Sequence, residues 1–141
     1  MIIPLGTDRP RRRKPRATGV IIVLNMLTYL VSLILDAVGT SEMQATMISL
    51  GTSRAAVADG SVWTLLTYQF AHSPNDVFHL AFNMLGLWIF GSSLEDRMGH
   101  LNFVAFYLMG GVVAGLAHTL VSAGPVIGAS GAVCAATGGF L

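Results

Sequence analysis

Long apolar runs alternate with short polar segments along most of the chain. Three of these runs cover residues 19–38, 76–94 and 101–121, and another begins at about residue 128. An α-helix of about 20 residues spans the roughly 30 Å hydrocarbon core of a bilayer, because each residue adds about 1.5 Å. The pattern therefore predicts an all-α, polytopic membrane helical bundle with four spans present in this sequence.

The composition favours a membrane protein over a soluble domain. Of the 141 residues, 53% are hydrophobic and 11% are charged. An average soluble protein has roughly 25% charged residues, more than twice that share. Cys134 is the only cysteine, so an intrachain disulfide and a cysteine-cluster metal site are both excluded.

Positive charge is concentrated before the first apolar run. Six of the eight basic residues lie within residues 9–16, and basic residues beside a first membrane helix favour the cytoplasmic side. We interpret residues 1–18 as a basic cytoplasmic tail and residues 19–141 as the membrane domain. No nucleic-acid partner is expected, because no polar globular domain follows the tail. A cleaved signal peptide is the alternative interpretation, although the first run is long for that purpose.

The connection between the first two runs, residues 39–75, is unusually long for a simple loop. Its apolar residues follow helical spacing between residues 62 and 70, and Trp63 and Tyr68 suit the membrane–water boundary. We expect this part to lie on or in the interface, with a short soluble helix as the alternative. A cytoplasmic N-terminus would place the loop, and the starts of the second and fourth spans, on the outer side.

His79 and Asn83 are the polar residues of the second span that attract attention. They are four residues apart and therefore share one helix face. Polar groups at membrane depth are costly and usually face a bundle interior or a water-filled cavity. The pair could form interhelical hydrogen bonds that hold two helices together. Alternatively, the imidazole and the carboxamide could donate hydrogen bonds to a developing oxyanion.

Ser130 lies among small residues at the start of the fourth span, between Gly128 and Gly131. Small residues repeat every fourth position after it, and Gly111 and Gly115 repeat in the same way on the third span. This spacing is typical of closely packed membrane helices, so Ser130 could be one more packing residue. Alternatively, the glycines clear space around an exposed nucleophile, which would require a base to accept its proton.

The other candidate residues suggest structural roles. His118, near the outer end of the third span, could approach Ser130, but we interpret it as structural or interfacial. His72 and His100 are interpreted as loop residues. Glu95 is interpreted as a helix-end contact in a polar cytoplasmic turn at residues 95–100. No Ser-His-Asp triad follows from the spacing of these residues.

Several short motifs together resemble the rhomboid family of intramembrane serine proteases. HLAFNM resembles the family's His-x-x-x-Asn motif, and GSSLEDRMG resembles its Gly-x-x-x-Glu-x-x-x-Gly turn. FYLMGGVVAG resembles its third helix, and GASGA, which contains Gly128 and Gly131, resembles its nucleophile motif. The similarity runs from about residue 63 to residue 139. Each motif is weak alone, whereas their order and spacing together make a specific match.

The resemblance implies a role for individual residues. Ser130 would be the nucleophile. His79 and Asn83 would line the oxyanion hole together with the backbone N–H of Ser130. Glu95 would tie the cytoplasmic turn together. The implied reaction is hydrolysis of peptide bonds in or near transmembrane segments of membrane proteins, with a serine nucleophile and without a metal or a cofactor.

The family's catalytic base is a histidine on its sixth helix, which lies beyond the end of this sequence. The resemblance therefore implies six or more spans, and a 141-residue chain that is inactive by itself. The expected partners are the lipid bilayer and transmembrane protein substrates, and the expected location is a prokaryotic inner membrane. The alternatives are a non-catalytic rhomboid-like protein that binds transmembrane clients, and a small structural membrane bundle.

Two residues depart from the family pattern. Thr64 stands where the family's first loop commonly has an arginine after tryptophan, and that arginine helps to anchor the loop. Cys134 stands four residues after Ser130, where a bulky aromatic residue is common. A smaller side chain at this position would alter the packing around the base.

Overall fold

The structure of the protein is a computed structural model that describes residues 14–39, 45 and 49–141. Its helices are α1 (Arg16–Val38), α2 (Arg54–Ala58), α3 (Thr64–Thr67), α4 (Val77–Gly86), α5 (Ser92–Met98), α6 (His100–Val121) and α7 (Ser130–Phe140). A 3₁₀ turn (Tyr68–Phe70) follows α3, and a π-helical turn (Leu87–Gly91) joins α4 to α5. Among the described residues, β pairing is limited to one antiparallel bridge between Thr52 and Val126, so the prediction of an all-α bundle is confirmed.

Three helices are long and apolar enough to cross a membrane: Arg16–Val38, Val77–Met98 and His100–Val121. They correspond to the first three predicted spans. The predicted start of the fourth span corresponds to α7, which has 11 residues. A span needs about 20 residues, so a complete fourth crossing stays a prediction.

Helix α1 begins slightly earlier than predicted, at Arg16 rather than at residue 19. Its first turn therefore includes residues that we had assigned to the basic tail. The helix ends at Gly39, which has a φ of 70° and donates its N–H to the carbonyl of Leu35. This left-handed glycine is a common way to end a helix. The basic residues of the tail before Lys14 lie outside the described residues.

The second membrane-length helix is also longer than predicted. Asp76 caps its start, because the carboxylate accepts the backbone N–H of His79 at 2.9 Å. The helix continues through α4, the π turn and α5 to Met98, whereas we expected it to end at residue 94. The predicted polar turn at 95–100 is reduced to Gly99, whose φ of 85° suits glycine. Glu95 is buried inside the protein, so its charge does not force the helix to end.

The core lies where α1, the π turn, α5, α6 and α7 meet. Its buried apolar residues are Ile21, Leu87, Leu94, Phe103, Tyr107, Ala132 and Ala136. Helix α7 comes very close to α6, because a Cβ atom added at Gly131 would lie 2.5 Å from the Cβ atom of Ala114. An added Cβ at Gly110 would lie equally close to that of Ala135. The repeat of small residues on α7 therefore marks close helix packing.

Gly111 and Gly115 pack against the long loop rather than against α7. A Cβ atom at Gly111 would lie 2.1 Å from the side chain of Gln69, and one at Gly115 would lie 2.9 Å from the ring of Tyr68. Tyr68 is buried, and its hydroxyl donates to the carbonyl of Gly111 at 2.6 Å. Tyr68 therefore packs against α6 inside the protein, and its place at the membrane–water boundary stays a prediction. Trp63, by contrast, is 60% exposed.

Arg54 attaches the first part of the loop to the end of α6. Its guanidinium donates at 2.7 Å to each of two backbone carbonyls, those of Thr119 and Leu120. The last carbonyls of a helix receive no N–H group from within the helix, and they carry partial negative charge. A cation beside them is therefore favourable. Arg54 therefore closes the C-terminus of α6 and holds the loop beside it.

Candidate functional site

The two ends of the bundle have different polar clusters. We call the end where α4 and α7 begin the serine end, because it carries Ser130. The opposite end, where α5 meets α6 and α1 begins, is called the glutamate end, because it carries Glu95. The predicted nucleophile and the two predicted oxyanion donors all belong to the serine end or the adjoining turn of α4.

Ser130 is the first residue of α7. The first hydrogen bond of the helical ladder runs from the Val133 N–H to the carbonyl of Ala129 at 2.9 Å. The three N–H groups that precede it, at residues 130–132, therefore have no acceptor within the helix. Ser130 is half-buried, and its hydroxyl makes no hydrogen bond with the described part of the chain. The Ser130 hydroxyl thus has no partner among the described residues.

Gly128 brings His79 close to this helix start. Its φ is 114°, a left-handed conformation that strongly favours glycine. A Cβ atom added at Gly128 would lie 2.7 Å from Cε1 and 3.2 Å from Nε2 of His79. The imidazole therefore lies directly against the backbone two residues before Ser130. The structure therefore places His79 beside the segment that leads into Ser130, at the end of the bundle that the helix directions suggested.

Asn83 lies one helical turn after His79 and is 6% exposed. Its Nδ2 donates to the carbonyl of His79 at 2.8 Å. An amide nitrogen carries two N–H donors, so this bond leaves one of them free. Within the described residues, neither His79 nor Asn83 makes a side-chain hydrogen bond to another helix. The interhelical pair that the sequence also allowed is therefore not seen among the described residues.

His72 is a site residue that sequence reasoning missed. It lies in the loop, as we expected, but its side chain is 2% exposed, and its Nε2 accepts the backbone N–H of Ala129 at 3.4 Å. Its ring centroid lies 5.5 Å from that of His79. Burial, and then the nearby His79, lower the pKa of His72 to about 4, so the ring is neutral at pH 7. Nothing in the spacing of His72 indicates that the loop folds back onto Ser130.

The segment before Ser130 is held by the long loop at three successive points. Val126 pairs with Thr52 through two backbone hydrogen bonds of 3.1 and 2.8 Å. The N–H of Gly128 donates to the carbonyl of Tyr68 at 2.8 Å. The third contact is that of Ala129 with His72. The loop thus fixes the backbone that presents Ser130.

Thr64 also contributes to this anchoring, through its hydroxyl rather than through a charged side chain. It is buried, and its hydroxyl lies 2.6 Å from the carbonyl of Ser61 and 3.1 Å from the hydroxyl of Thr52. Since Thr52 pairs with Val126, Thr64 supports the strand-like bridge before Ser130. Cys134, the second departure from the family pattern, is exposed on α7.

His118 makes its hydrogen bond with the turn that precedes α7. Its Nε2 lies 3.0 Å from the carbonyl of Gly124, in the turn between α6 and α7. This contact agrees with the structural role that we expected for His118. It also means that the ring nitrogen closest to the turn is already used by a backbone acceptor.

Glu95 occupies the glutamate end, where it receives hydrogen bonds from the start of α1. Oε1 accepts the Ala17 N–H at 2.8 Å, and Oε2 accepts the N–H and the hydroxyl of Thr18 at 2.8 and 2.6 Å. Nδ1 of His100 lies 2.5 Å from Oε1. The fully buried carboxylate therefore joins the N-terminus of α1 to the turn between α5 and α6, where a negative charge is favourable.

The sequence of this chain is similar to those of known proteins. The Rhomboid domain family matches residues 59–141. The rhomboid protease GluP of Bacillus subtilis is 33% identical over 129 residues, which cover 91% of this chain and 24% of GluP. The presenilin-associated rhomboid-like protein, mitochondrial, of Mus musculus is 36% identical over 97 residues, 65% of this chain and 25% of that protein.

A further relative is the rhomboid protease GlpG of Haemophilus influenzae, 29% identical over 80 residues, which cover 57% of this chain and 41% of GlpG. No solved structure matches the chain. The chain spans about a quarter of the length of the first two relatives. The family match covers more than half of the chain and includes every predicted site residue. This multi-pass membrane protein therefore belongs to the rhomboid family.

Proposed function

We propose that the complete protein is an intramembrane serine endopeptidase that cleaves peptide bonds in or near the transmembrane segments of membrane proteins. The observation that carries this proposal is the contact of His79 with Gly128, two residues before Ser130. This contact supports the proposal because the imidazole lies against the segment that leads into Ser130, whose hydroxyl has no hydrogen bond to the described residues. Two of the similar proteins are named as rhomboid proteases, which supports the same class of reaction.

In the proposed reaction, the Oγ atom of Ser130 attacks the carbonyl carbon of the scissile peptide bond. The serine proton passes to a histidine base, which we expect beyond residue 141. Negative charge then develops on the carbonyl oxygen, where the Ser130 N–H, His79 and Asn83 donate hydrogen bonds. Collapse of this intermediate breaks the C–N bond, and the base returns the proton to the leaving amine. Water hydrolyses the acyl-enzyme, and no cofactor takes part.

The roles of the two donors agree with their positions on α4. The free N–H of the Asn83 amide and the ring of His79 share one helix face. The N–H groups at residues 130–132 add the partial positive charge of a helix start. Donors that are fixed before the reaction stabilise an oxyanion without the cost of reorganising solvent. A substrate carbonyl between α4 and the start of α7 would meet both sets.

We further infer that the N-terminus is cytoplasmic, so that the serine end faces outward. The reason is the cluster of basic residues at positions 9–16, at the start of α1. Single cysteines at Ser53 and Ala58, in a Cys134→Ser background, should react with an impermeant thiol reagent added to the outside of intact cells. Labelling only after the cytoplasmic side is opened would contradict this topology.

The decisive variant is Ser130→Ala in the complete protein. Removal of a serine nucleophile should lower kcat by about 10⁴-fold or more, without a change in thermal stability. The measurement is cleavage of a membrane-embedded peptide in liposomes. Ser93→Ala is the control, because Ser93 is a half-buried serine on α5 whose hydroxyl already donates to the carbonyl of Ile89 at 3.0 Å.

The alternative function has a distinct outcome in the same assay. A folded wild-type protein that retains transmembrane peptides but never cleaves them would favour the non-catalytic, client-binding function. The 141-residue chain alone should be inactive and unreactive toward a fluorophosphonate probe, because an unassisted serine is a poor nucleophile. Ser130-dependent labelling of that short chain would show that one of its own histidines serves as the base.

A further inference from the structure

We propose that His72 is a positioning residue for the reaction. From one fixed point on the loop, its side chain holds the backbone before Ser130 and supports the ring of His79. The inference rests on the proposed protease function. It assigns to His72 no contact with substrate. Instead, His72 acts through the two groups that we propose to touch the reacting carbonyl.

The first contact of His72 is with the segment that presents the nucleophile. Its Nε2 lies 3.4 Å from the backbone nitrogen of Ala129, the residue immediately before Ser130. Ala129 is the N-cap of α7 and is itself fully buried. A movement of Ala129 would rotate the first turn of α7, and with it both the hydroxyl and the N–H of Ser130. The hydrogen bond therefore fixes the direction of the nucleophile.

The second contact is with the proposed oxyanion donor. The ring centroids of His72 and His79 are 5.5 Å apart, and the planes are inclined by 60°. The His79 ring also lies against the backbone of Gly128. His79 therefore contacts both His72 and the residue that precedes Ala129. One buried side chain thus sets the separation between the oxyanion donor and the nucleophile.

The hydrogen bonding of His72 specifies its tautomer. Because Nε2 accepts an N–H, it carries no proton, so the proton of the neutral ring is on Nδ1. That Nδ1 atom is buried. His72 also has a hydrogen bond with the backbone of Phe70, which raises its pKa against the larger lowering effects. The loop therefore fixes the ring on the side away from Ala129 as well.

The charge state of His72 is consistent with this role. Burial, followed by the proximity of His79, lowers its pKa to about 4. The ring is therefore neutral at pH 7, where Nε2 can accept the N–H of Ala129. His79 is the titratable group that the structure places against it. A protonated His72 would lose its acceptor for Ala129 and would repel a protonated His79.

Two substitutions in the complete protein separate positioning from simple packing. In His72→Gln, the side-chain oxygen can reach the former position of Nε2 and still accept the Ala129 N–H. In His72→Asn, the side chain is shorter by one methylene and cannot. We expect His72→Asn to lower kcat by about tenfold to a hundredfold with little change in KM, because misplaced reacting groups slow chemistry more than binding. We expect His72→Gln to restore kcat to within about threefold of wild type.

His118→Asn is the matched control, since His118 lies at the same end but contacts Gly124 instead of Ala129. It should cleave the liposome substrate at the wild-type rate. Equal kcat values for wild type, His72→Asn and His72→Gln would overturn the proposal. The proposal would also be overturned if both His72 variants lost kcat equally and in step with a fall in melting temperature, because that result would indicate packing alone.

A spectroscopic measurement tests the arrangement independently of proteolysis. In protein labelled with ¹⁵N-histidine, the signals of His72 can be assigned by their loss in His72→Gln. At pH 7 we expect a neutral ring with a protonated Nδ1 and an unprotonated Nε2. A proton on Nε2 would overturn the proposal even in an active protease. If the tautomer is as expected but the protein never cleaves a substrate, the result rejects the proposed function and, with it, the catalytic effect of His72.

Discussion

The serine end and the glutamate end both bury polar side chains, but they satisfy them to different degrees. At the glutamate end, the carboxylate of Glu95 accepts three hydrogen bonds from Ala17 and Thr18 and contacts His100. At the serine end, the Ser130 hydroxyl makes no hydrogen bond to the described residues, and the Asn83 amide uses only one of its two N–H groups.

This difference separates polar groups that hold the fold from polar groups that are available for chemistry. A buried charge is costly unless it is compensated, and Glu95 accepts three hydrogen bonds at the N-terminus of α1, where a negative charge is favourable. Donors that await a transition state must instead stay free in the resting protein. The two ends of one bundle thus show how the same class of buried group serves stability at one place and, as we propose, catalysis at the other.

After the loss of Ser130 itself, the largest effect should come from removing a free donor at the serine end. Asn83→Ala should lower kcat by about tenfold to a thousandfold, as for other oxyanion-hole donors, with the melting temperature nearly unchanged. The matched control is Asn102→Ala, because Asn102 makes the same type of bond to the carbonyl four residues earlier, at 3.0 Å, but is exposed on α6. Parallel losses of stability and activity in Asn83→Ala would instead assign this residue to the fold.

A change at the glutamate end should affect the fold and spare the chemistry. Glu95→Gln replaces a buried carboxylate that accepts several hydrogen bonds, so we expect unfolding to become easier by about 2–4 kcal/mol. Thermal melts in detergent provide the measurement, and Asp36→Asn, at an exposed position on α1, is the control. At a temperature where both variants are folded, kcat should stay near the wild-type value. A strong loss of kcat in the folded Glu95→Gln protein would break the distinction between the two ends.

A smaller effect is expected when the contact between His79 and the serine-bearing segment is disturbed. Gly128→Ala adds a Cβ atom 2.7 Å from the His79 ring at a φ of 114°, so the ring or the backbone must move. We expect a loss of about tenfold in kcat, equal to roughly 1.4 kcal/mol. Gly124→Ala is the control in the same turn, because the nearest atom to its added Cβ would be 3.8 Å away. Equal activity in both variants would contradict the close approach.

The smallest effect concerns pH. Burial and the neighbouring His79 lower the pKa of His72 to about 4, whereas an exposed histidine has a pKa near 6.5. The unfolded chain therefore binds a proton at a higher pH than the folded protein does. The stability that a neutral His72 contributes is complete above about pH 6.5 and is lost as the pH falls toward 4. Melting temperatures should decline by about a few degrees over this window, and His72→Gln should decline less.

Much of the architecture was determined by the sequence itself. The apolar runs predicted the three membrane-length helices, because burial of backbone groups in lipid requires long apolar helices. The short motifs also indicated the family before any contact was known. Their spacing placed His79 and Asn83 on one helix face, and the direction of successive helices placed Ser130 at the same end as His79.

Tertiary structure alone decided how the long loop meets the site. Its sequence gives no signal that Tyr68 donates to α6 or that His72 accepts from Ala129, since hydrogen bonds between distant segments follow no local period. Likewise, the charge of Glu95 suggested a polar turn, yet the N–H groups of α1 compensate that charge inside the protein. Periodicity determines which face of a helix is apolar, whereas the partner of a buried polar group depends on which segments the fold brings within hydrogen-bond distance.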